Sequence, residues 1–522
     1  MRELRLVPAA TVTWLAVLVT LMSRQPLWGM AIVAVTALAA FWFLGEAVTA
    51  ASLAGTAVCL AWLRMKSVPK ELAAQFLAKV VSTPIQTRTG GWSMQLEVGG
   101  TSLRAFTQQQ PPPRGATILV TGEEQKHDDP EIASYHVRVS RAHIVEEPQG
   151  FTAWSNDLKD RFLETCARWL GPKTEGLVPG MVLGDTRAQS DTEKQMYVDT
   201  GLAHLSAVSG ANITIMTVTA VFLVKACTLG PRAQVAGAAF TLGVFVAIVG
   251  FEPSVLRASV MGIVGLLAVL GSAQAEPAHG LCLAVIALLI YDSNLATSFG
   301  FALSVAATAG LIALAPLIYR AIARFPGPDL LKRALAVAIA ADLVTMPLVA
   351  AMSGKVLTAS VPANVAAAPA VAPVTILGLI GILFPPALKL AEPFAWWIAT
   401  VAHTFSSAPD LAIPTTWALL IAGWLLFLIH IKKAHWLLLG LILLIPKREA
   451  DTVPLRNVIH VQDLPDEFEA PPGVDAVIVD KPGCPSKRPH RSPAGVPILY
   501  PQRDGAVRVL VDGTQRAERG HF

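Results

Sequence analysis

A polytopic α-helical membrane protein of about 11–13 membrane helices, at roughly 20 residues per span, with a small all-β module inserted near its start, is the fold class this sequence predicts. Three observations predict it. Of 522 residues, 53% are hydrophobic and 15% charged, whereas soluble domains carry nearer a quarter charged. Mean hydropathy is +0.53. The apolar runs give way to one long polar stretch, 66–148, whose short alternating segments read as strands. A net charge of +4 points to no particular partner, and five scattered cysteines imply neither a disulfide framework nor a metal site.

Residues 1–65 hold three apolar runs, 7–22, 27–43 and 48–63, behind Arg2 and Arg5. They read as N-terminal membrane helices, the first an anchor and not a cleaved signal, with one run short enough to lie in the interface. In 66–148, strands are expected at 76–81, 92–98, 102–106, 116–121 and 135–144, separated by Gly-Gly and Pro-Pro-Pro turns. Five strands in so short a stretch suit a small OB-like barrel. Its acids nearly match its bases, so no basic footprint marks a nucleic-acid surface, and Trp92, Phe106 and Tyr135 are its candidate base-stacking aromatics.

Residues 149–200 form a linker. Phe151, Trp154, Leu158, Phe162, Cys166 and Trp169 recur at helical spacing, the mark of an amphipathic helix lying on the bilayer, with Lys159 on another face. The glycine-rich segment that follows reads as re-entrant. A second membrane block, 201–446, divides into apolar runs near 203–229, 233–250, 255–272, 279–292, 296–318, 334–352, 359–384, 389–408, 414–431 and 434–446. If Arg2 and Arg5 are cytoplasmic, Arg232, the Arg320–Arg333 cluster and Lys432-Lys433 also fall inside and the β module outside; Arg64, Lys66 and Lys70 oppose this. Residues 447–522 are a polar, Pro-rich tail.

At the mouth of one apolar run, 200–213 carries His204, Ser206, Ser209, Gly210 and Asn212. Unpaired polar groups in hydrocarbon cost several kcal/mol, so such a cluster glues helices together or lines a wet cavity. Arg257, near the start of another run, invites the same question: a structural salt bridge, with Glu252 the nearest acid, or contact with a phosphate.

Thr200-Gly-Leu-Ala-His-Leu-Ser-Ala-Val-Ser-Gly210, preceded by Met181-Val-Leu-Gly184-Asp185, resembles a signature of the ComEC family, inner-membrane DNA channels of natural transformation. Pro253-Ser254-Val-Leu-Arg257-Ala and Asp342-Leu-Val-Thr-Met-Pro347, with Pro362-Ala-Asn364 and Pro369, resemble two further blocks of that family, in the same order. Where relatives carry a histidine after Ser-Gly, this chain has Ala211 and Asn212. The metallo-β-lactamase-like domain with which relatives end has no His-x-His-x-Asp-His cluster here, and the segment 501–513 resembles only its last strands. The expectation is a remnant of that domain and no nuclease.

The resemblance implies a channel for single-stranded DNA in the bacterial inner membrane, surrounded by membrane lipid, served by an outer DNA receptor and an inner ATP-driven helicase, with a homo-oligomer allowed. His204, Ser206, Ser209, Gly210, Asn212, Arg257 and Asn364 are its expected path-lining residues. Gly184, Asp185, Pro253, Ser254, Asp342, Pro347, Pro362 and Pro369 are its expected structural motif, the prolines together with Pro373 breaking helices and Asp342 pairing with a basic residue or capping a helix. No cofactor is expected, and no phosphate loop for ATP occurs. A permease for another solute is the competing reading; a membrane hydrolase has no paired-carboxylate, metal-ligand or nucleophile-base spacing behind it.

Overall fold

The computed structural model describes residues 6–43, 47–69, 72–87, 91–127, 129–205, 210–250, 253–270, 276–408 and 411–412, and short stretches between 458 and 517. It contains two units, 1–441 and 442–522, each described by itself.

The chain opens with α1 (Leu6–Ser23), α2 (Pro26–Phe43) and α3 (Ala47–Ser67), one for each predicted run. Their hydroxyls are satisfied internally, as apolar surroundings require: Thr13 and Thr20 donate to the carbonyls of Ala9 and Ala16 at 2.7 Å.

Six strands follow: β1 (Gln75–Val80), β2 (Ile85–Gln86), β3 (Trp92–Val98), β4 (Thr101–Thr107), β5 (Thr117–Lys126) and β6 (Tyr135–Glu146). Five of them close in the order β1-β3-β4-β6-β5 and back to β1, with β4–β6 parallel and the other pairs antiparallel. This is an OB-like barrel. Period-two alternation puts Val80, Leu96, Leu103, Ile118 and Val137 in its core at zero exposure. Tyr135 also belongs to that core, 4% exposed with its hydroxyl donating to Pro69 O at 2.8 Å, so it offers no face to a base.

The barrel grips the helices through its β5–β6 loop. Arg24, in the α1–α2 turn, donates to Ile132 O at 3.1 Å and Asp129 O at 3.3 Å, and Ile132 N–H donates to Asn294 Oδ1 at 2.8 Å. Two of the charges opposing the expected orientation are locally engaged: Arg64 donates to Ile290 O at 2.8 Å and Ser293 Oγ at 3.0 Å, and Lys66 Nζ lies 3.8 Å over the Trp62 ring.

Next comes α4 (Gly150–Trp169), amphipathic as expected, with Phe162 and Cys166 of the predicted apolar face buried and Ser155 and Lys159 buried beside them. Lys159, 5% exposed, donates to Val249 O at 3.0 Å, and Ser155 donates to Ile248 O at 3.1 Å. Both carbonyls end α8 (Pro231–Val249), where unpaired acceptors and the negative end of the helix dipole favour a cation. Phe151 and Trp154 remain exposed, their rings 5.1 Å apart. The glycine-rich segment forms a helix in spite of its composition: α5 (Leu177–Leu183) has every residue buried and packs against α14 (Ser360–Leu383), with Val182 seated on Gly378. Packing here overrides the poor intrinsic propensity of glycine.

The remaining helices are α6 (Asp191–Asp199), α7 (Gly210–Ala226), α9 (Pro253–Leu270), α10 (Pro277–Tyr291), α11 (Phe299–Ala313), α12 (Ala315–Ile322), α13 (Asp329–Ser353) and α15 (Ala387–Phe405). Among the described residues four helices, α1, α8, α13 and α14, are long and apolar enough to cross a membrane, a fifth span forms if α11 and α12 act together across their 45° bend, and shorter apolar helices account for other predicted runs. The runs at 414–431 and 434–446 lie outside the described residues. Pro347, Pro369 and Pro373 do not break helices: α13 and α14 run through them, and Pro362 sits in the first turn of α14, where its missing N–H is not needed. The bend falls instead between α11 and α12, beside Pro316.

Helices α11 and α13 meet at Gly310, where an added Cβ would lie 2.7 Å from Ala340 O and 2.9 Å from Val344 Cγ2. Close backbone approach through small residues is how helices associate in lipid. Gly310→Leu is expected to destabilise the folded chain by about 3 kcal/mol or more, seen as a lowered thermal midpoint in detergent; an unchanged midpoint would show that the two helices are not held there.

Short strands β7 (Lys355–Val356) and β8 (Leu411–Ala412) pair antiparallel. In the second unit, β9 (Val458–Val461), β10 (Ala476–Val479), β11 (His490–Arg491) and β12 (Pro497–Leu499) form a sheet, with β9, β10 and β12 parallel over Val477, Val479, Ile498 and Tyr500; β13 (Val507–Val509) and β14 (Gln515–Ala517) form a hairpin. Its described residues are thus ordered strands and not a structureless Pro-rich tail.

Candidate functional site

Two of the predicted motif blocks, 200–210 and 342–369, meet around Gly201. His204, in a single 3₁₀ turn (Ala203–Leu205), lies with Nδ1 3.1 Å from Gly201 O. A carbonyl only accepts, so the ring proton sits on Nδ1 and Nε2 keeps a lone pair. Asn364, on α14, donates to Ser360 O at 2.8 Å and reaches Gly201 O at 3.4 Å. Ser360, 7% exposed, packs directly on Gly201 and hydrogen-bonds the Asp342 carboxylate from α13. Gly201 has φ +68°, and an added Cβ would lie 2.6 Å from Ser360 Oγ and 2.9 Å from Ser360 Cβ. His204 is exposed.

A second group surrounds Arg257. On α9 and 9% exposed, it donates from Nε to Ser304 Oγ on α11 at 2.7 Å, and its Nη1 lies 3.4 Å from Met261 Sδ. Among the described residues no carboxylate lies within ion-pair distance of it, and Glu252 falls outside them. Its Nη2 stands 3.5 Å from where a Cβ on Gly210 would be, at the N-terminus of α7. A guanidinium beside a helix N-terminus concentrates positive charge where an anion would be welcome. Leu205 and Gly210 are five residues apart, so the two groups lie within roughly 18 Å along the backbone. Ser206 and Ser209, between them, lie outside the described residues.

Asn212 is buried, 3% exposed, bonded to Met181 O on α5 and receiving Thr375 Oγ1 from α14 at 3.4 Å. That geometry braces three elements. Gly184 ends α5 in the left-handed conformation, φ +71°. Asp185, 4% exposed, takes a bidentate ion pair from Arg187 (Nε–Oδ1 3.0 Å, Nη2–Oδ2 2.6 Å), and Arg187 also binds Asp160 at 2.7 Å, tying the linker to α4. Pro253 and Ser254 open α9. Asp342 has a hydroxyl partner in Ser360 and, among the described residues, no basic one, so a hydrogen bond donated by the Ser360 hydroxyl stands in place of the expected ion pair or cap.

Sequence reasoning missed Ser360, Ser304 and Thr375, single hydroxyls indistinguishable in sequence from helix-helix glue. It also missed a cluster in the barrel: one donor atom each of His127, Glu131 and His136 lies within 4.8 Å of the others. Burial, then His127 and Arg104, push His136 down to about 4, so its imidazole is neutral at neutral pH. On the barrel wall, a recess of about 350 Å³ lined by Leu72, Ala74, Phe76, Glu123 and Glu124 carries acids and no cation, which does not suit a polyanion.

The model of the Competence protein family matches residues 181–438. ComE operon protein 3 of Bacillus subtilis (strain 168) is 28% identical over 213 residues, covering 38% of this chain and 27% of that protein. No solved structure matches the chain. The family match takes in α7 to α15, the Gly201 group and Arg257 alike. Through that block the chain belongs to the ComEC-type competence protein family.

Proposed function

We propose that the membrane block conducts a single strand of DNA across the inner membrane during uptake of external DNA. One observation carries the reading: two motif blocks far apart in the sequence meet around Gly201, and in the same family-matched block a buried cation, Arg257, stands at the N-terminus of α7 with no carboxylate partner among the described residues. A strand bearing one charge per nucleotide needs at least one fixed cation and otherwise neutral donors and acceptors that do not trap it. Arg257 suits the phosphate, because its charge persists in low dielectric and its fork binds two oxygens. Neutral His204 presents an acceptor and suits a base N–H or water instead. On this reading 201–446 is the channel domain, the barrel of 66–148 stands outside, 149–200 links them, and 447–522 is the remnant domain. The strand is captured by a receptor outside and pulled by an ATP-driven motor inside, since catalysis is not this chain's part.

A second reading, transport of another solute, is favoured by one detail: the Asp342 carboxylate sits within the Gly201 group, where it would repel DNA. Complementation separates the two. In a transformable strain lacking its own copy, the chain is expected to restore DNA uptake with or without residues 450–522. Failure to restore uptake, together with flux of a small anion through purified protein that oligonucleotide does not block, would favour the permease.

A further inference from the structure

We propose that His127, Glu131 and His136 hold a divalent transition-metal ion of the zinc class, which stiffens the loop by which the barrel grips the helices. The two imidazoles stack, centroids 3.7 Å apart, at the mouth of the β5–β6 hairpin. Both Nε2 atoms are buried and have no hydrogen-bond partner among the described residues. Such orphaned groups are rare in folded proteins and call for a ligand. Glu131 completes the set: its Oε2 lies 3.8 Å from His136 Nε2, too far to hydrogen-bond, while its Oε1 is held by Arg104 Nη2 at 2.9 Å. A carboxylate oriented on one oxygen by a neighbour and free on the other is a common arrangement around a metal.

Two imidazole nitrogens and one carboxylate oxygen favour zinc and its neighbours over calcium or magnesium, which prefer all-oxygen sites. Bonds near 2.0–2.2 Å set ligand atoms roughly 3.3–3.6 Å apart in a tetrahedral site, so the triad closes by at most about 1.5 Å from its present spacing of up to 4.8 Å, the stacked rings splaying as it does. His127 Nδ1 now accepts from Asp129 N–H at 3.0 Å, which leaves the ring proton on Nε2. An ion on Nε2 requires that proton to move to Nδ1, whose hydrogen bond from Asp129 N–H then gives way to donation toward Asp129 Oδ2, now 3.7 Å away, as the outer acceptor.

The loop between these histidines is the gripping segment: Asp129, Ile132 and Ala133 give their carbonyls to Arg24, and Ile132 N–H bonds Asn294. An ion joining its two ends would therefore fix the barrel's attachment to α1–α2 and to the α10–α11 connection. The whole chain, purified in detergent without a histidine tag and stripped by chelator, tests this by titration with Zn²⁺. About one ion per chain is expected, with hydrogen exchange of 127–136 slowed by about tenfold or more. Loss of an outer partner alone lowers metal affinity roughly 10–100-fold, so His127→Ala and His136→Ala should each lower it by about a hundredfold or more. Glu131→Gln, nearly isosteric, should weaken binding without lowering the thermal midpoint of the metal-free protein, and His143→Ala, exposed on β6, should bind as wild type. A wild-type chain that takes up no stoichiometric zinc, leaving the recess to water, or histidine variants that keep wild-type affinity, would overturn the proposal.

Discussion

Arg257→Ala is expected to lower uptake of external DNA by about a hundredfold or more while the protein still reaches the membrane in normal amount. A desolvated, bidentate guanidinium–phosphate contact is worth about 3 kcal/mol, which is roughly two decades. Arg257→Lys keeps the charge without the fork and should recover only part of the loss. Because Arg257 also joins α9 to α11 through Ser304, a bracing role must be told apart from phosphate contact. Ser304→Ala does this: it removes the brace and leaves the guanidinium. Uptake should stay near wild type in Ser304→Ala and collapse in Arg257→Ala; equal losses in both would reduce Arg257 to a strut, and wild-type uptake in Arg257→Ala would remove it from the path.

The second large effect is structural. Gly201→Ala puts a methyl 2.6 Å from Ser360 Oγ and 2.9 Å from Ser360 Cβ, at a backbone φ of +68° that alanine adopts with strain. Strain of about 1 kcal/mol plus the steric clash should destabilise the fold by about 2–4 kcal/mol in all. The expected result is a lowered thermal midpoint in detergent together with loss of uptake. Pairing Gly201→Ala with Ser360→Gly, which clears the space, should recover part of the midpoint. No recovery would mean that the Gly201–Ser360 contact does not hold the site together.

The fold was legible where physics repeats. Each barrel strand alternates with period two and ends at a turn such as Gly99-Gly100, both residues at positive φ, and each N-terminal apolar run became a helix. What escaped reading depends on partners remote in sequence. Lys159 looks like a solvated lysine until the end of α8 offers it a carbonyl. The prolines of α14 look like breaks until the helix is seen running through them within packed neighbours. His127 and His136 have no motif spacing; only the pairing of Lys126 with Tyr135 sets them diagonally opposite on one face. Asn212 was grouped with path-lining residues by its place in the 200–213 block, yet it lies buried between α5 and α14. Residue type singled out His204 and Asn364, which both reach Gly201 O, while the bracing position of Asn212 needed coordinates.

The proposed conduction requires that DNA pass the Gly201 group as a single strand. Its most direct test places a photo-cross-linking residue at position 204, and separately at 364, and exposes living cells to labelled duplex DNA with brief illumination during uptake. The account predicts adducts at both positions that contain single-stranded DNA, that disappear when uptake is blocked, and that do not form from position 143 on the barrel surface. Absence of adducts at 204 and 364 in cells that are taking up DNA, or adducts containing duplex, would contradict it.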